Sequence, residues 1–417
     1  MDKMIIQGGE RLIGEIQIGG AKNAALPLFI AALLTDEPVR LHNVPALRDI
    51  DTVEKLLTNM GISVKRDGSD AEIEARELSV IEAPYDLVRT MRASILVLGP
   101  LIARAHEAKV SLPGGCAIGT RPINLHLDGF MALGAEIDLE HGYVHAKVEK
   151  LRGTTIDLPI PTVTGTENLM MAASLAEGIT VIENAAREPE VVELGTFLNQ
   201  MGAKISGLGT KTVTIEGVSS LHGTEYTIMP DRVEAATYMV AAGMTKGNLL
   251  LKGARAEHLQ SVIDKLKEAG MEIREENGGL RCLLIGPIKS VDAKTLPYPG
   301  FPTDVQAQLM AMMCFANGLS VISESVFENR FMHVSELKRM GADIQVEGHS
   351  AIIRGKEGLS GAPVMATDLR ASASLVLAGL AASGTTEISR IYHLDRGYER
   401  MEEKLRAVGA KIERVKS

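Results

Sequence analysis

The chain repeats one pattern six times, and this repeat constrains its fold more than any other feature. In each unit an amphipathic helical pattern ends at a glycine, which we call the marker glycine of that unit. Successive marker glycines are separated by 73, 68, 68, 71 and 68 residues, and they are Gly61, Gly134, Gly202, Gly270, Gly341 and Gly409. Such regular spacing is typical of an architecture built from equivalent supersecondary units.

The third unit shows the order of elements within a repeat. Residues 168–177 are rich in Ala, Met and Leu, Gly178 is suited to a left-handed helix end, and residues 179–182 have the pattern of a strand. Leu194, Phe197, Leu198 and Met201 then follow helical spacing up to the marker glycine. Because a helix that is apolar on all sides is buried on all sides, the strands and the amphipathic helices are predicted to surround it.

Length and hydrophobic content indicate an α/β protein of two domains with three units each. The chain has 417 residues, which exceeds what one core usually supports, and 45% of them are hydrophobic. No apolar run approaches the roughly 18 residues that a membrane span needs, and the N-terminus lacks a signal-peptide pattern. We therefore expect no membrane insertion and a cytoplasmic location.

Composition also limits the ligands. Three cysteines, an odd number without CxxC or His-rich spacing, argue against a disulfide framework and a zinc site. The net charge is −9 and aromatic residues make up 3%, so nucleic-acid binding is not expected. An anionic ligand has to be held by local clusters of Arg and Lys.

Polar residues recur at the predicted start of every apolar helix. They are Lys22-Asn23, Arg92, Thr164-Gly165-Thr166, Asp231-Arg232, Asp304 and Arg370. A single arginine in such a place is ordinarily a solvated or capping residue. Here polar residues recur at equivalent helix N-termini, and the dipoles and free N–H groups of helix N-termini favour anions. The recurrence therefore indicates a site for phosphate or carboxylate.

Two loops carry candidate reactive groups. Residues 113–122 contain three Gly, two Pro and Cys116, which is either a small buried residue or a reactive thiol near Arg121. Residues 298–304 contain two Pro and one Gly and end at Asp304. Asp304 stabilises the next helix as an N-cap or first-turn residue, or accepts a proton from a bound hydroxyl, and it can do both. The residue pattern leaves both pairs of alternatives open.

A set of motifs resembles the enolpyruvyl transferases, and within them the branch that acts on UDP-N-acetylglucosamine. The motifs run in order from end to end of the chain. They are Gly19-Gly20-Ala21-Lys22-Asn23-Ala24, the Cys116 loop with Arg121-Pro122, Pro299-Gly300-Phe301-Pro302-Thr303-Asp304, Phe327-Glu328-Asn329-Arg330-Phe331, Asp368-Leu369-Arg370-Ala371 and Asp395-Arg396-Gly397-Tyr398-Glu399. Together they are highly specific, whereas any one would be weak.

The resemblance implies a fold of two inside-out α/β barrel domains, each made of three βαβαββ-like units. The first domain spans residues 21–229 and contains the Cys116 loop. The second combines residues 1–20 with 230–417 and contains Asp304 and the carboxylate-binding arginines.

The resemblance also implies a reaction, the first committed step of peptidoglycan synthesis. The enolpyruvyl group of phosphoenolpyruvate moves to the 3'-hydroxyl of UDP-N-acetylglucosamine, and phosphate leaves through a tetrahedral intermediate. No metal and no organic cofactor are expected. An epoxide that mimics phosphoenolpyruvate is expected to alkylate Cys116.

The roles of individual residues follow from the same resemblance. Lys22, Arg121 and Arg396 are expected to hold the phosphate of phosphoenolpyruvate. Arg330 and Arg370 are expected to bind its carboxylate. Cys116 is the expected acid for the methylene carbon and Asp304 the expected base for the sugar hydroxyl.

The remaining implied contacts are with the nucleotide sugar. The residues expected there are Asn23, Arg92, Arg121, Pro122, Ile123, Asn124, Leu125, Val163, Thr164, Gly165 and Val326. Some relatives carry a Lys near Pro161, whereas this chain has none there. Backbone N–H groups of residues 164–166, with Arg121, are therefore expected to hold the diphosphate.

Three alternative functions remain. The sister enolpyruvyl transferase acts on shikimate 3-phosphate, but its members typically have Ser after the first-repeat Lys and lack the Cys loop, so Lys22-Asn23 and Cys116 favour the UDP-sugar. The repeats could also form a binding scaffold without chemistry. The third alternative is a regulatory paralogue that binds the ligands but turns over poorly.

Overall fold

The computed structural model describes residues 2–89, 91–112 and 123–416. The chain divides into two compact units, which we call the N-domain and the C-domain. The described residues of the N-domain are 20–89, 91–112 and 123–229, and those of the C-domain are 2–19 and 230–416. The predictions for Cys116, Arg121 and Pro122 therefore fall on residues outside the described part of the chain.

Short strands make up the sheets of both domains. Within the described residues they are, in chain order, β1 (Lys3–Gln7), β2 (Ile13–Gln17), β3 (Val39–His42), β4 (Ser63–Asp67), β5 (Asp70–Glu74), β6 (Glu82–Ala83), β7 (Glu107–Ser111), β8 (Glu136–Glu140), β9 (Tyr143–Lys147), β10 (Thr155–Asp157), β11 (Ile179–Glu183), β12 (Lys204–Ser206), β13 (Thr212–Glu216), β14 (Glu225–Thr227), β15 (Asn248–Lys252), β16 (Glu272–Glu276), β17 (Gly279–Leu283), β18 (Ala293–Lys294), β19 (Leu319–Ser323), β20 (Asp343–Glu347), β21 (Ser350–Arg354), β22 (Pro363–Met365), β23 (Thr385–Ser389) and β24 (Lys411–Val415).

Helices connect these strands. The α-helices of the described chain are α1 (Lys22–Ala31), α2 (Arg48–Asn59), α3 (Tyr85–Val88), α4 (Leu98–Ala105), α5 (Asn124–Ala132), α6 (Val163–Ala173), α7 (Pro189–Gln200), α8 (Arg232–Met244), α9 (Gln260–Glu268), α10 (Gln306–Met313), α11 (Val334–Arg339), α12 (Leu369–Ala381) and α13 (Met401–Ala407). Short 3₁₀ turns occupy Ala32–Leu34, Arg92–Val97, Ala256–His258, Thr303–Val305 and Ile391–Arg396.

The strands pair into four-stranded sheets that share one design. In the N-domain the strand orders are β14-β3-β5-β4, β6-β7-β9-β8 and β10-β11-β13-β12, and in the C-domain they are β2-β15-β17-β16, β18-β19-β21-β20 and β22-β23-β1-β24. In every sheet the first pair is parallel and the other two are antiparallel.

This design follows from the order of elements in each repeat. In the third unit the chain runs β10, α6, β11, α7, β12 and β13, so a helix joins the parallel pair and a tight connection joins the last antiparallel pair. The βαβαββ unit predicted from the sequence is therefore confirmed. In the last sheet of the C-domain, the N-terminal strand β1 occupies the position that β13 has in the third unit, and it pairs with β23 and β24.

The apolar helices form the interior of each domain. In α8 every residue after the first is buried, and α6 is buried from Gly165 to its end. The helices α8, α10 and α12 pack against one another inside the C-domain. Each domain therefore has its own hydrophobic core. Because these helices are buried along their length, their starts are the places where polar side chains can reach a ligand.

The marker glycines end the amphipathic helices as the sequence predicts. All six have φ between 83° and 106°, a left-handed conformation that is unfavourable for residues with a Cβ. Gly178, which follows α6, has φ 87°. In the fourth unit the positive φ lies at Lys246, one residue before the expected Gly247.

Among the described residues, no helix has both the length and the apolar character required to cross a membrane. The same part of the chain contains no group of three or more His, Cys, Asp or Glu side chains arranged to hold a metal ion.

Candidate active site

Asp304 lies between two arginines at the start of an apolar helix of the C-domain. It is in the turn Thr303–Val305, directly before α10. Its Oδ1 is 2.6 Å from Nη2 of Arg330, and its Oδ2 is 3.2 Å from Nη2 of Arg370. The structure thus brings together three residues that the sequence places 26 and 66 positions apart.

The surroundings of this cluster favour the charged forms of Asp304 and Arg370. The side chains of Arg330 and Arg370 are 6% and 4% exposed, and that of Asp304 is 28% exposed. Burial raises the pKa of Asp304, but the neighbouring arginines, Arg370 and Arg330 first, together lower it by more, so its pKa lies well below the usual range. Burial lowers the pKa of Arg370, but the neighbouring acidic groups, Asp304 first, together raise it by more.

Asp304 does not cap the helix that follows it. The N-cap position of α10 is Val305, and no side-chain cap hydrogen bond forms there. Both carboxylate oxygens are directed to guanidinium groups instead. The N-cap interpretation left open by the sequence is therefore wrong, whereas Asp304 does lie in the first turn of the 3₁₀ segment that leads into α10.

A buried glutamate organises the loop that contains Arg330. Glu324 is 1% exposed and accepts hydrogen bonds from the hydroxyl of Thr303 at 2.8 Å and from the backbone N–H of Val326 at 2.8 Å. Arg330 Nη1 donates to the same Thr303 hydroxyl at 2.9 Å, and its guanidinium lies over the ring of Phe327 at 5.2 Å. Val326 itself is 37% exposed, as suits a residue that contacts a ligand.

Arg370 and Arg396 have different local supports. Arg370 is in the first turn of α12, where Asp368 accepts hydrogen bonds from the backbone N–H groups of Arg370 and Ala371. Arg396 is half-buried and ends the turn Ile391–Arg396. Burial lowers the pKa of His393 in the same turn; the charge of Asp368 opposes this effect, and the charges of Arg396 and Arg390 add to it.

Lys22 begins α1 of the N-domain and forms a buried ion pair. Its Nζ is 2.9 Å from Oδ2 of Asp49, in the first turn of α2, and the two side chains are 10% and 5% exposed. Asn23 follows in the same helix turn and is half-buried. A buried, fixed ammonium at a helix start is suited to an anion.

A relay of hydrogen bonds orients Thr164 at the start of α6. Asn168 accepts the backbone N–H of Gly99 through Oδ1, so its Nδ2 is the donor to Nδ1 of His126 at 3.1 Å. The neutral imidazole therefore carries its hydrogen on Nε2 and donates it to Oγ1 of Thr164 at 3.2 Å. Thr164 is left with its own hydroxyl hydrogen as a donor beside Gly165.

His126 is held neutral by its surroundings. Burial lowers its pKa to about 4, and the positive charge of Arg92 contributes in the same direction. Arg92 itself is half-buried and begins the turn Arg92–Val97. Ile123 is the N-cap residue of α5, Asn124 and Leu125 begin that helix, and Val163 is the first residue of α6.

Sequence reasoning missed several residues that support this site. His126, Asn168 and Glu324 have no motif of their own, and each gains its role from a partner distant in the chain. The signal that was available is the position of His126 in the first turn of α5, next to residues already selected. Asp49 was among the polar residues that the sequence places before an amphipathic helix, but its pairing with Lys22 was not predicted.

Comparison with known proteins identifies the family. The sequence profile described as EPSP synthase (3-phosphoshikimate 1-carboxyvinyltransferase) matches residues 6–405. The chain belongs to the EPSP synthase family. Within that family, a UDP-N-acetylglucosamine 1-carboxyvinyltransferase of Desulfatibacillum aliphaticivorans is 59% identical over 416 residues and covers 100% of both chains. A protein of the same name from Gluconobacter oxydans (strain 621H) is 60% identical, again with 100% of both chains covered.

A solved structure supports the EPSP synthase family fold. The enolpyruvyl transferase NikO from Streptomyces tendae superposes with a TM-score of 0.91 at 26% identity, covering 100% of this chain and 99% of the other. The resemblance to the enolpyruvyl transferases predicted from the sequence is confirmed, and so is the fold class of two α/β domains built from repeats.

Proposed function

We propose that this chain transfers the enolpyruvyl group of phosphoenolpyruvate to the 3'-hydroxyl of UDP-N-acetylglucosamine and releases phosphate, the first committed step of peptidoglycan synthesis. The observation that carries the proposal is the full-length identity of 59% and 60% to proteins named for the UDP-N-acetylglucosamine reaction. The carboxylate held between buried arginines in the C-domain gives that reaction a base and a site for a carboxylate ligand.

The reaction needs one base and one acid. The 3'-oxygen of the sugar forms a bond to C2 of phosphoenolpyruvate while its proton passes to Asp304, and C3 receives a proton from Cys116. The resulting tetrahedral intermediate then releases phosphate, which takes the proton from Asp304, while one C3 proton returns to the thiolate of Cys116 and the double bond is restored. Asp304 is ionised and able to accept the proton, because the charges of Arg370 and Arg330 favour its carboxylate form.

Arg330 and Arg370 bind the carboxylate of phosphoenolpyruvate in this proposal. Each guanidinium uses Nη2 for Asp304. Nη1 of Arg370 is buried and has no hydrogen-bond partner among the described residues, so a ligand carboxylate can supply the missing acceptor. Sharing the two arginines with the ligand weakens their effect on Asp304 and makes it a stronger base when the substrate is bound.

The groups of the N-domain hold the phosphates and the nucleotide sugar. Lys22 has three ammonium donors, of which one is used in the contact with Asp49 among the described residues. With Arg121 and Arg396 it binds the phosphate of phosphoenolpyruvate. The hydroxyl of Thr164 and the backbone of Val163 and Thr164 hold the diphosphate. The backbone N–H groups of Gly165 and Thr166, which the sequence also assigned to it, are donated to the hydroxyl and the carbonyl of Thr162, so Gly165 borders the diphosphate without donating to it.

The remaining residues of the N-domain complete the nucleotide-sugar site in this proposal. Residues 121–125 flank the uridine, while Asn23 and Arg92 are beside the sugar. In the C-domain, Val326 is also beside the sugar. An epoxide analogue of phosphoenolpyruvate alkylates Cys116. The cytoplasmic location stays a prediction that cell fractionation tests.

Phosphate release tests the choice of acceptor. The purified chain is incubated with phosphoenolpyruvate and either UDP-N-acetylglucosamine or shikimate 3-phosphate, and phosphate and the enolpyruvyl product are quantified. We expect turnover with the UDP-sugar alone. Turnover with shikimate 3-phosphate would establish the sister activity, and binding of the UDP-sugar without turnover would establish a binding or regulatory protein.

A further inference from the structure

A buried network of polar groups lies beneath the Asp304 cluster in the C-domain. Gln308, one helical turn after Asp304, is fully buried. Its Nε2 is 2.9 Å from the backbone carbonyl oxygen of Asp304, 3.1 Å from Oγ1 of Thr237 in α8, and 3.2 Å from the hydroxyl of Tyr398. Thr237 and Tyr398 are 0% and 2% exposed.

The direction of each hydrogen bond in this network follows from the available hydrogens. The acceptor at Asp304 is a carbonyl, so the side-chain atom of Gln308 that faces it is the amide nitrogen. The hydroxyl hydrogen of Thr237 is donated to the carbonyl of Val233 at 2.8 Å, so Oγ1 of Thr237 accepts from the Tyr398 hydroxyl at 2.9 Å. The second amide hydrogen of Gln308 then points to these two hydroxyl oxygens.

The same network reaches the arginine that contacts Asp304. The guanidinium of Arg370 lies over the ring of Tyr398, with Cζ 5.5 Å from the ring centroid. Burial raises the pKa of Tyr398, which keeps the phenol protonated as its donation to Thr237 requires. The hydrogen bond from Gln308 therefore fixes the position of the Asp304 backbone, and the stacking contact with Tyr398 fixes the orientation of the Arg370 guanidinium.

Stability alone does not account for a glutamine at position 308. Oε1 of Gln308 is buried and has no hydrogen-bond partner among the described residues, which costs free energy that an apolar side chain of similar size avoids. The same helix buries a second glutamine, Gln306, and both polar atoms of its amide lack a partner among the described residues, so burial of an amide does not by itself identify a functional residue. Gln308 differs from Gln306 in its hydrogen bond to the backbone of Asp304, and this contact is what points to a functional role.

We infer that Gln308 and Tyr398 are positioning residues of the transfer reaction: Gln308 fixes the peptide of Asp304 so that its carboxylate faces the acceptor hydroxyl, and Tyr398 fixes the guanidinium of Arg370 for the substrate carboxylate. This inference rests on the proposed roles of Asp304 and Arg370. It assigns to Gln308 an effect on kcat and to the Tyr398 ring an effect on the KM for phosphoenolpyruvate.

The test is Gln308→Met, with Gln306→Met as the matched control. Gln306 is also buried in α10, and both polar atoms of its amide lack a partner among the described residues. Because a displaced base loses rate steeply, we expect Gln308→Met to lower kcat on the order of 10- to 100-fold. We also expect its resistance to urea to equal or exceed that of the wild type. Gln306→Met is expected to keep the wild-type kcat.

Two substitutions at Tyr398 separate its hydroxyl from its ring. Tyr398→Phe removes the hydrogen bond to Thr237 and keeps the ring, so kcat falls with little change in the KM for phosphoenolpyruvate. Tyr398→Leu also removes the surface under Arg370, so the KM for phosphoenolpyruvate rises as well. Equal KM values for the two variants would contradict the assigned role of the ring.

The outcomes distinguish this inference from the proposed function. A wild type that is active with UDP-N-acetylglucosamine, together with an unchanged kcat in folded Gln308→Met, overturns the inference alone. Equal losses of kcat in Gln308→Met and Gln306→Met also overturn it, because they indicate a general packing effect. A wild type that is inactive with both acceptors overturns the inference and the proposed function together.

Discussion

Single residues in this protein gain their chemistry from partners that the fold brings to them. Asp304 is an ordinary carboxylate in the sequence, and two buried arginines lower its pKa so that it is ionised before a substrate hydroxyl passes its proton to it. Lys22 is fixed in the same way by Asp49. In both cases a charged group is held in place before any ligand arrives, which is how an enzyme site avoids reorganisation during reaction.

Replacing the proposed base gives the most direct prediction at this scale. Asp304→Asn retains a side chain of the same shape but no longer accepts a proton, so we expect kcat to fall by about 10²- to 10⁴-fold. Asp292→Asn is the control, because Asp292 accepts a hydrogen bond from the backbone N–H of Val321. Steady-state kinetics and thermal unfolding of both variants test this prediction. A folded Asp304→Asn variant with kcat within tenfold of the wild type would contradict the role of Asp304 as the base.

The cysteines give a second prediction at the residue scale. Cys282 and Cys314 are both fully buried, and burial raises the pKa of each thiol to about 12. Since the thiolate is the nucleophile, neither is expected to react with an electrophile. An epoxide analogue of phosphoenolpyruvate should therefore label Cys116 alone, and faster with the UDP-sugar present.

Peptide mass spectrometry of the labelled protein checks this prediction. Cys116→Asp is expected to escape the label and to keep some turnover, because a carboxylic acid also donates a proton. Cys116→Ser is expected to be far less active. Labelling at Cys282, or slower labelling with the UDP-sugar, would count against the proposed acid.

The sequence predicted the charged residues of the site better than their supports. The motifs selected Asp304, Arg330 and Arg370, which the fold brings together. They gave no role to Gln308 or to Asn168, because an amide has no fixed chemistry until its neighbours decide which of its atoms donates. Which amide atom donates depends on contacts between helices, and the residue spacing along one helix does not reveal these contacts.

At the scale of elements, the starts of the apolar helices concentrate the polar groups. Apolar helices are buried along their length, so their first turns and the loops before them are where side chains can be both fixed and accessible. Their capping differs accordingly: Asp231 and Asp368 cap α8 and α12, whereas α10 has no side-chain cap and begins with a 3₁₀ turn. Helix ends and marker glycines were predictable from the repeat, but these 3₁₀ turns were not, since they depend on tertiary contacts.

The relay at the start of α6 predicts a pH dependence of stability. The pKa of His126 is lowered to about 4 from the 6.5 of an unperturbed imidazole, so the unfolded state binds more protons between these values. The contribution of His126 to the free energy of unfolding is therefore complete above pH 6.5. It is lost as the pH falls towards 4, and the loss amounts to about 3 kcal/mol in total. His333, whose pKa is also lowered to about 4, contributes with the same sign.

Urea unfolding at pH 7 and pH 5 tests this contribution. His126→Asn is expected to reduce the loss of unfolding free energy between the two pH values, whatever its stability at pH 7. His141→Asn, at an exposed position of the same domain, is the control and should lose as much as the wild type. An unchanged loss in His126→Asn would contradict the buried neutral imidazole.

At the scale of the whole molecule, the chain order and the domain order differ. The N-terminal strand β1 lies between β23 and β24 of the C-domain, while the described residues 20–89, 91–112 and 123–229 form the N-domain with a core of its own. The six-fold repeat predicted three units in each domain. The repeat alone did not show which strand completes the last sheet, whereas the family resemblance assigned residues 1–20 to the second domain.

Two matched substitutions test whether the cores unfold separately. Ile6 in β1 and Ile182 in β11 are both fully buried in a sheet, one in each domain. Each change to Ala removes a similar volume and is expected to destabilise its own domain by about 2–5 kcal/mol. Because the two cores are distinct, we expect Ile6→Ala to lower amide protection in the C-domain, including β23 and β24, and to spare the N-domain.

Hydrogen exchange followed by mass spectrometry measures this difference domain by domain. Ile182→Ala is expected to give the reciprocal result, with protection lost in the N-domain sheets and retained in β1, β23 and β24. Loss of protection in both domains from either substitution would mean that the chain unfolds as one cooperative unit, and that the stability of each core depends on the other. Separate loss would show that the repeat builds each domain as a stable body around its own helices.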